Sequence, residues 1–288
     1  MQKESQGGMP KTELYKQDLI RFLEGFLKTG DENKIFQYLL SHSNLPSPRG
    51  NLELATAFAE LMEISSSKSL EGLWGLCMKA TRTSSDEAPV NDPKEFLPFC
   101  GTYAIGALGS IYPKYLDKAL LRLKELAHDS RWRTREAVAM AVQKLLERQP
   151  KRTLKILDGW IENSNWLAMR AVAAGVAEPR VLRDEQTARK ALELHKKILA
   201  KILRTTERKS SEFKTMRKGL GYTLSVVICA RPKEEGLAYL YQLMKSQDVD
   251  ILWIVRQNLR KKRLLKRFPD EAASIKELLQ KPFTYLSI

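Results

Sequence analysis

Two segments of the chain repeat each other at a fixed offset of 34 residues. Residues 129–142 read DSRWRTREAVAMAV, and residues 163–176 read NSNWLAMRAVAAGV. The offset aligns Trp132 with Trp166, together with the small and apolar residues that follow each tryptophan. A weaker copy, FCGTYAIGAL, lies 33 residues upstream of the first segment. Periods of this length are typical of stacked two-helix units, each of which buries its apolar face against its neighbours.

The rest of the chain also has helical periodicity. Apolar residues recur at spacings of three and four, as in Leu120, Leu123 and Leu126, while alternating strand patterns are almost absent. Segments rich in Pro, Gly, Ser and Asn divide the chain into helical hairpins, at residues 41–51, 81–93, near 150, near 179, 207–212 and near 232. The pattern resembles HEAT repeats. We therefore predict an all-α fold, a curved α-solenoid of HEAT-like two-helix repeats with a concave basic face.

The same pattern predicts the domain organisation. Residues 1–12, with two glycines and a proline, are expected to form a flexible tail. Residues 13–288 are expected to form a single HEAT-like α-solenoid domain, with five or six units between about residues 13 and 281. Asp129 or Asn163 is the expected side-chain cap where the helix of a repeat begins.

The positive charge of the chain is concentrated in two segments. The net charge is +15, and residues 180–218 hold 13 Lys or Arg against 5 Asp or Glu, whereas residues 256–267 hold 7 against none. If the second segment is one helix, Arg256, Arg260, Arg263 and Arg267 form one stripe. A solvated helix face explains most charge runs, but a run without any acid favours a polyanionic partner. Nucleic acid is therefore the leading partner class that the charge predicts.

Other classes of site have no sequence signal. The cysteines Cys77, Cys100 and Cys229 are widely spaced in apolar contexts, and the three histidines have no ligand spacing. No phosphate-binding glycine loop is present, and every apolar run is too short for a membrane span. We expect no metal, no cofactor and no membrane contact. The expected protein is an unsecreted, cytoplasmic monomer in a reducing compartment.

Three motifs between Trp132 and Val227 support a more specific expectation. They are RWRTREAVA, SNWLAMRAVAAG and FKTMRKGLGYTLS. Together they resemble the HEAT-like alkylpurine DNA glycosylases of the AlkD type. That family has a Trp followed four residues later by a catalytic Asp, an Arg beside the DNA backbone, and a Lys-x-x-Gly-Trp segment. The matching residues here are Trp132 with Glu136 in place of Asp, Arg170, and Lys218 with Tyr222 in place of Trp.

The resemblance implies excision of cationic alkylated purines from duplex DNA without a base-flipping pocket. Such a purine is already a good leaving group, so excision mainly needs stabilisation of a cationic sugar. The resemblance assigns that role to Glu136, with Trp132 and Tyr222 holding the cationic nucleotide by cation–π contact. It implies phosphate contacts for Arg170, Arg217 and Lys218, and the basic run adds Arg256, Arg260 and Arg263 as DNA-binding residues.

Structural interpretations of the same residues stay open at this point. Trp132 and Trp166 occupy equivalent repeat positions, which is typical of packing residues. Glu136 could be a solvated helix residue, Tyr222 a core residue, and Arg170 and Arg217 could cap carbonyls of a neighbouring unit. The alternative function is a non-enzymatic HEAT-repeat scaffold that binds nucleic acid or an acidic protein partner.

Overall fold

The computed structural model describes residues 10–162 and 165–279. Within these residues the chain is helical and contains no strand, so the predicted all-α fold is confirmed. The chain divides into two compact units, Met1–Arg148 and Gln149–Ile288. No helix of the described part is long and apolar enough to span a lipid bilayer.

The first unit packs its helices in sequence order around one central helix. It contains α1 (Lys11–Thr29), α2 (Asn33–Ser41), α3 (Leu52–Glu63), α4 (Leu70–Ala80), α5 (Phe96–Ile111), α6 (Pro113–Leu126) and α7 (Trp132–Arg148). Helices α1, α3, α5 and α7 form one row, and α2, α4 and α6 pack against that row. Helix α5 is apolar all round and almost entirely buried, as expected for the centre of such a unit.

The second unit repeats this arrangement. It contains α8 (Pro150–Glu162), α9 (Trp166–Val176), α10 (Glu185–Arg204), α11 (Ser211–Cys229), α12 (Lys233–Met244), α13 (Val249–Asn258), α14 (Lys262–Arg267) and α15 (Pro269–Leu278). Helices α9, α11 and α13 form a row, and α8, α10 and α12 pack against it. Each unit is thus a two-layered stack of helical pairs, as a solenoid of two-helix repeats requires.

The internal repeat in the sequence corresponds to equivalent helix starts. Helix α7 begins at Trp132 and α9 begins at Trp166, the two tryptophans that the 34-residue offset aligns. The predicted cap Asn163 lies outside the described residues. The cap of α9 is Asn165, whose Oδ1 accepts from the backbone N–H of Leu167 at 3.1 Å and of Ala168 at 3.3 Å.

The predicted breaks between helices are confirmed, and the last two residues of the predicted tail are helical. Every breaker-rich segment falls between two helices. Of the predicted flexible tail, residues 1–9 lie outside the described residues, whereas Lys11 and Thr12 already belong to α1.

The three cysteines are free thiols in or near the core. Cys77 and Cys100 are buried and Cys229 is partly buried. Burial raises the pKa of Cys229 to about 11, although Arg263 and Arg267 oppose the shift. A thiol with a raised pKa is a weak nucleophile near neutral pH, so Cys229 behaves as a packing residue. The described part of the chain contains no cluster of three or more His, Cys, Asp or Glu suited to a metal ion.

Candidate nucleic-acid interface

Helix α11 presents a stripe of basic residues that ends on a tyrosine. Lys214, Lys218 and Tyr222 follow one another at spacings of four, and all three are exposed. Residues at this spacing lie on one face of a helix. On the opposite face of α11, Phe213 and Leu220 are buried. Because α11 lies between α9 and α13 in its row, the stripe lies in the middle of the α9–α11–α13 face.

Arg170 approaches this stripe from α9. Gly219 follows Lys218 directly, and a Cβ atom at Gly219 would lie 3.3 Å from Cγ of Arg170. The aliphatic part of Arg170 therefore crosses α11 where the helix has no side chain, and the arginine is partly buried there. The structure brings Arg170 and Lys218 to the same face, as the resemblance implies.

Arg217 is engaged within the protein. Its Nη1 forms a short ion pair with Asp250 on α13, and its guanidinium carbon lies 4.5 Å from the centre of the Trp253 ring. Asp250 also receives Nη1 of Arg208 at 3.2 Å. The predicted phosphate-binding Arg217 thus has its charge balanced by a carboxylate, and it links α11 to α13.

Tyr222 is half-exposed and is not a core residue. Its side-chain environment is cationic. The Nη2 group of Arg263 donates to the Tyr222 hydroxyl at 2.6 Å, and the guanidinium carbon lies 4.8 Å from the ring centre. The ammonium nitrogen of Lys261 lies 5.6 Å from the same ring centre. Within the described residues, neither Lys261 nor Arg263 forms an ion pair with a carboxylate.

The single arginine stripe expected from a continuous helix at residues 256–267 is wrong. Helix α13 ends at Asn258, and α14 begins at Lys262. The buried Asn258 side chain accepts from the Ser225 backbone N–H at 2.7 Å and donates to the Leu220 carbonyl at 2.9 Å, both on α11. These bonds hold the end of α13 against α11, and Lys261 takes an extended backbone before the next helix starts.

The break divides the predicted arginines into two groups. Arg256 and Arg260 are exposed and line an open cleft of about 220 Å³ with Leu259, Lys276 and Leu279. Arg263 instead contacts Tyr222. Lys276 also lines the cleft, and Lys261 also lies beside Tyr222. Both places are therefore strongly basic.

The cations of α10 differ from those of α11. Lys190 and Lys197 both bind the Asp158 carboxylate of α8, at 3.0 and 2.6 Å. Partial burial raises the pKa of Asp158, but the hydrogen bonds from Lys197 and Lys190 outweigh it and hold that pKa below its ordinary value. Lys190 and Lys197 of α10 are therefore balanced by a carboxylate of α8, whereas Lys214 and Lys218 extend from α11.

Trp132 and Glu136 lie one turn apart in the first unit. Trp132 is 46% exposed and Glu136 is exposed. By contrast, Trp166 packs edge-on against Phe213 with ring centres 5.2 Å apart. The two aligned tryptophans therefore have different environments, and packing describes Trp166 but not the exposed half of Trp132.

The buried side chain of Arg133 packs against the Trp132 ring. The guanidinium carbon of Arg133 lies 4.5 Å from the Trp132 ring centre. Arg133 is 3% exposed and pairs with the fully buried Glu95 at 2.7 Å. Its Nη2 also donates to the Ser47 carbonyl at 2.6 Å and to Asn91 Oδ1 at 2.8 Å. The indole thus packs against a cation that is held by two connections of the first unit, the one between α2 and α3 and the one between α4 and α5.

The structure groups the predicted residues by unit. Arg170, Lys218, Tyr222 and Arg263 share one region of the second unit, whereas Trp132 and Glu136 belong to the first. Sequence reasoning missed Lys214, Lys261 and the buried Arg133. The four-residue spacing of Lys214, Lys218 and Tyr222 was the available signal for the first of these. Nothing in the local sequence distinguishes Arg133 from a surface arginine.

Comparisons with known proteins leave the family open. No protein-family model matches the chain, and no curated protein matches it. Among solved structures, a designed armadillo repeat protein matches with a TM-score of 0.29 and 16% sequence identity, covering 79% of this chain and 98% of the designed protein. A likeness of this degree says nothing about what the chain binds or does.

Proposed function

We propose that the second unit binds the phosphate backbone of duplex DNA through its α9–α11–α13 face. One observation carries the proposal. Lys214 and Lys218 stand exposed in register on α11, and Lys261 and Arg263 extend the same cationic surface at Tyr222. Arg170 adds a fifth cation from α9.

Phosphate contacts are the chemistry that this surface suits. Duplex DNA carries about one negative charge per 1.7 Å of its axis, and lysine and arginine that neutralise phosphates release condensed counterions. Phosphate contacts fix the position of a protein on DNA but carry no base sequence information directly. We therefore expect affinity for duplex DNA with little sequence preference.

Charge removal on the stripe tests this proposal. Changing Lys214→Gln together with Lys218→Gln should weaken binding to a short duplex by roughly tenfold or more near physiological salt, because two phosphate contacts are lost. The matched control is Lys151→Gln with Lys155→Gln, two exposed lysines at the same spacing on α8. Equal loss in both double variants would show that net charge, not this face, determines affinity.

Excision of alkylated purines is a second candidate function, and the exposure of Trp132 and Glu136 favours it. An exposed indole can contact a cationic purine, and an exposed carboxylate one turn away can stabilise the positive charge that develops on the sugar. Glu136→Gln should then lower release of 7-methylguanine from methylated DNA by roughly two to three orders of magnitude while DNA affinity stays unchanged.

A shorter acid provides the sharper comparison. Glu136→Asp restores the residue that the resembling family carries and keeps the charge, so release should be retained or raised.

Wild-type protein that binds DNA yet releases no base in single-turnover conditions would remove the excision proposal. The chain would then be a binding scaffold, and competition by RNA or by an acidic protein would identify its partner class. We propose a cytoplasmic monomer, and the three free thiols support a reducing compartment.

A further inference from the structure

We propose that Lys218, Lys261 and Arg263 form a discrete phosphate-binding site that Tyr222 organises. This inference rests on the proposed DNA binding and specifies it: the ligand group is a backbone phosphate, and Tyr222 is a positioning residue. The site lies where the exposed stripe of α11 meets the turn between α13 and α14.

Tyr222 fixes the arginine in two ways. The hydroxyl accepts one N–H of Arg263, and the ring lies against the guanidinium. A guanidinium has five N–H donors, so four remain for an anion. An arginine that is already held loses less conformational freedom when it binds, and its planar fork suits phosphate oxygens.

The segment that carries both cations, Lys261 on the turn and Arg263 in the first turn of α14, is itself anchored. Leu259 and Leu264 are buried on either side of Lys261, and Asn258 is bonded to the backbone of α11. Lys261 and Arg263 are therefore held on a segment that cannot swing freely away from Tyr222. Lys218 lies one helical turn before Tyr222 on the same exposed face, within reach of the same anion.

The charge around the ring determines which ligand it suits. Two cations already lie within 6 Å of the Tyr222 ring centre, at 4.8 Å for Arg263 and 5.6 Å for Lys261. A third cation, such as an alkylated purine, would be repelled by both, whereas an anion would be attracted. The resemblance implies that Tyr222 contacts a cationic base directly. The geometry instead favours a role in which Tyr222 positions Arg263 for contact with a phosphate.

Single substitutions in the full chain separate this site from general charge. Tyr222→Phe keeps the ring and removes the hydroxyl that holds Arg263, so duplex DNA should bind several-fold more weakly. Arg263→Gln should weaken binding by about tenfold and reduce the salt slope by about one. Lys266→Gln is the control, since it removes one exposed charge from the same helix. It should change affinity less than about twofold.

A direct probe keeps the inference testable apart from DNA binding. Titration of inorganic pyrophosphate, followed by NMR of the arginine side-chain N–H groups, should shift the Arg263 signal, and Tyr222→Phe should weaken that response. Suppose that wild-type protein binds DNA and that the three variants have equal affinity for it, namely Tyr222→Phe, Arg263→Gln and Lys266→Gln. The phosphate site is then wrong and the proposed function stands. If DNA does not bind but pyrophosphate shifts Arg263, the proposed function and the assignment to a backbone phosphate are both wrong, and the residues form a site for a small phosphate only. Absence of both effects overturns both.

Discussion

At the scale of single residues, His195 couples stability to pH. It is fully buried on α10, its Nδ1–H donates to the Ala191 carbonyl at 2.9 Å, and its Nε2 accepts from the Thr223 hydroxyl of α11 at 3.0 Å. Burial lowers the pKa of His195 from 6.5 to about 4. The imidazole is therefore neutral in the folded protein and bridges two helices of the second unit.

Acid should destabilise the protein through this histidine. Between pH 6.5 and about 4 the unfolded chain takes up a proton at His195 that the folded chain does not, so the free energy of unfolding falls as the pH falls. The full shift corresponds to about 3 kcal/mol. Urea unfolding of wild type and of His195→Gln across this range measures it, and the variant should lack this part of the slope. Parallel pH profiles would contradict the assignment.

The buried pair of Arg133 and Glu95 makes a second prediction at this scale. Arg133→Met leaves the fully buried Glu95 carboxylate without its cation, which should cost about 3–5 kcal/mol of unfolding free energy. Adding Glu95→Gln removes the stranded charge while keeping an acceptor for the Asn91 N–H. The double variant should then be more stable than Arg133→Met alone in urea unfolding. Simple addition of the two single losses would contradict this.

At the scale of helices, one glycine determines how closely α5 and α7 pack. A Cβ atom at Gly106 of α5 would lie 2.5 Å from both Cα and Cβ of Ala141 on α7. The backbone of α7 cannot yield to such a contact without shifting the helix. The small residues that recur in the sequence repeat thus permit close helix contact in the first unit.

Substitution of this glycine should reveal the contact. Gly106→Ala should destabilise the protein by roughly 2 kcal/mol or more, because overpacking outweighs the gain in helix propensity. Gly75→Ala is the matched control on α4, where an added Cβ meets nothing within 4 Å. It should stabilise the protein by roughly 0.5–1 kcal/mol. Denaturant midpoints measure both, and a neutral Gly106→Ala would show that α5 and α7 can separate.

The same scale shows where sequence reasoning succeeds and where it ends. Apolar periodicity and breakers predicted the helical hairpins, because both signals are local. The end of α13 was not predictable in this way. Residues 256–267 continue a helical pattern, and α13 ends at Asn258 where contacts to residues 220 and 225, distant in sequence, hold its side chain. Likewise, the sequence did not predict the ion pair of Arg217 with Asp250, because the two residues are 33 positions apart.

At the scale of the whole molecule, the second unit carries the basic excess of the sequence. Ion pairs between α8 and α10 balance part of it. The cations proposed to bind DNA are Lys214 and Lys218 on α11 and Lys261 and Arg263 beside Tyr222. Ion pairs thus neutralise cations on α10 but leave those on α11 and beside Tyr222 open to a polyanion. The central claim is that this surface binds duplex DNA.

The salt dependence of duplex DNA binding tests that claim most directly. Four or five phosphate contacts, from Lys214, Lys218, Lys261, Arg263 and Arg170, predict a slope of about −4 for the logarithm of affinity against the logarithm of salt. Affinity for a short duplex should therefore fall by roughly two orders of magnitude between 50 and 200 mM salt, with little dependence on sequence. An affinity that changes less than about threefold over that range would contradict the account, because binding would then not depend on release of counterions from phosphates.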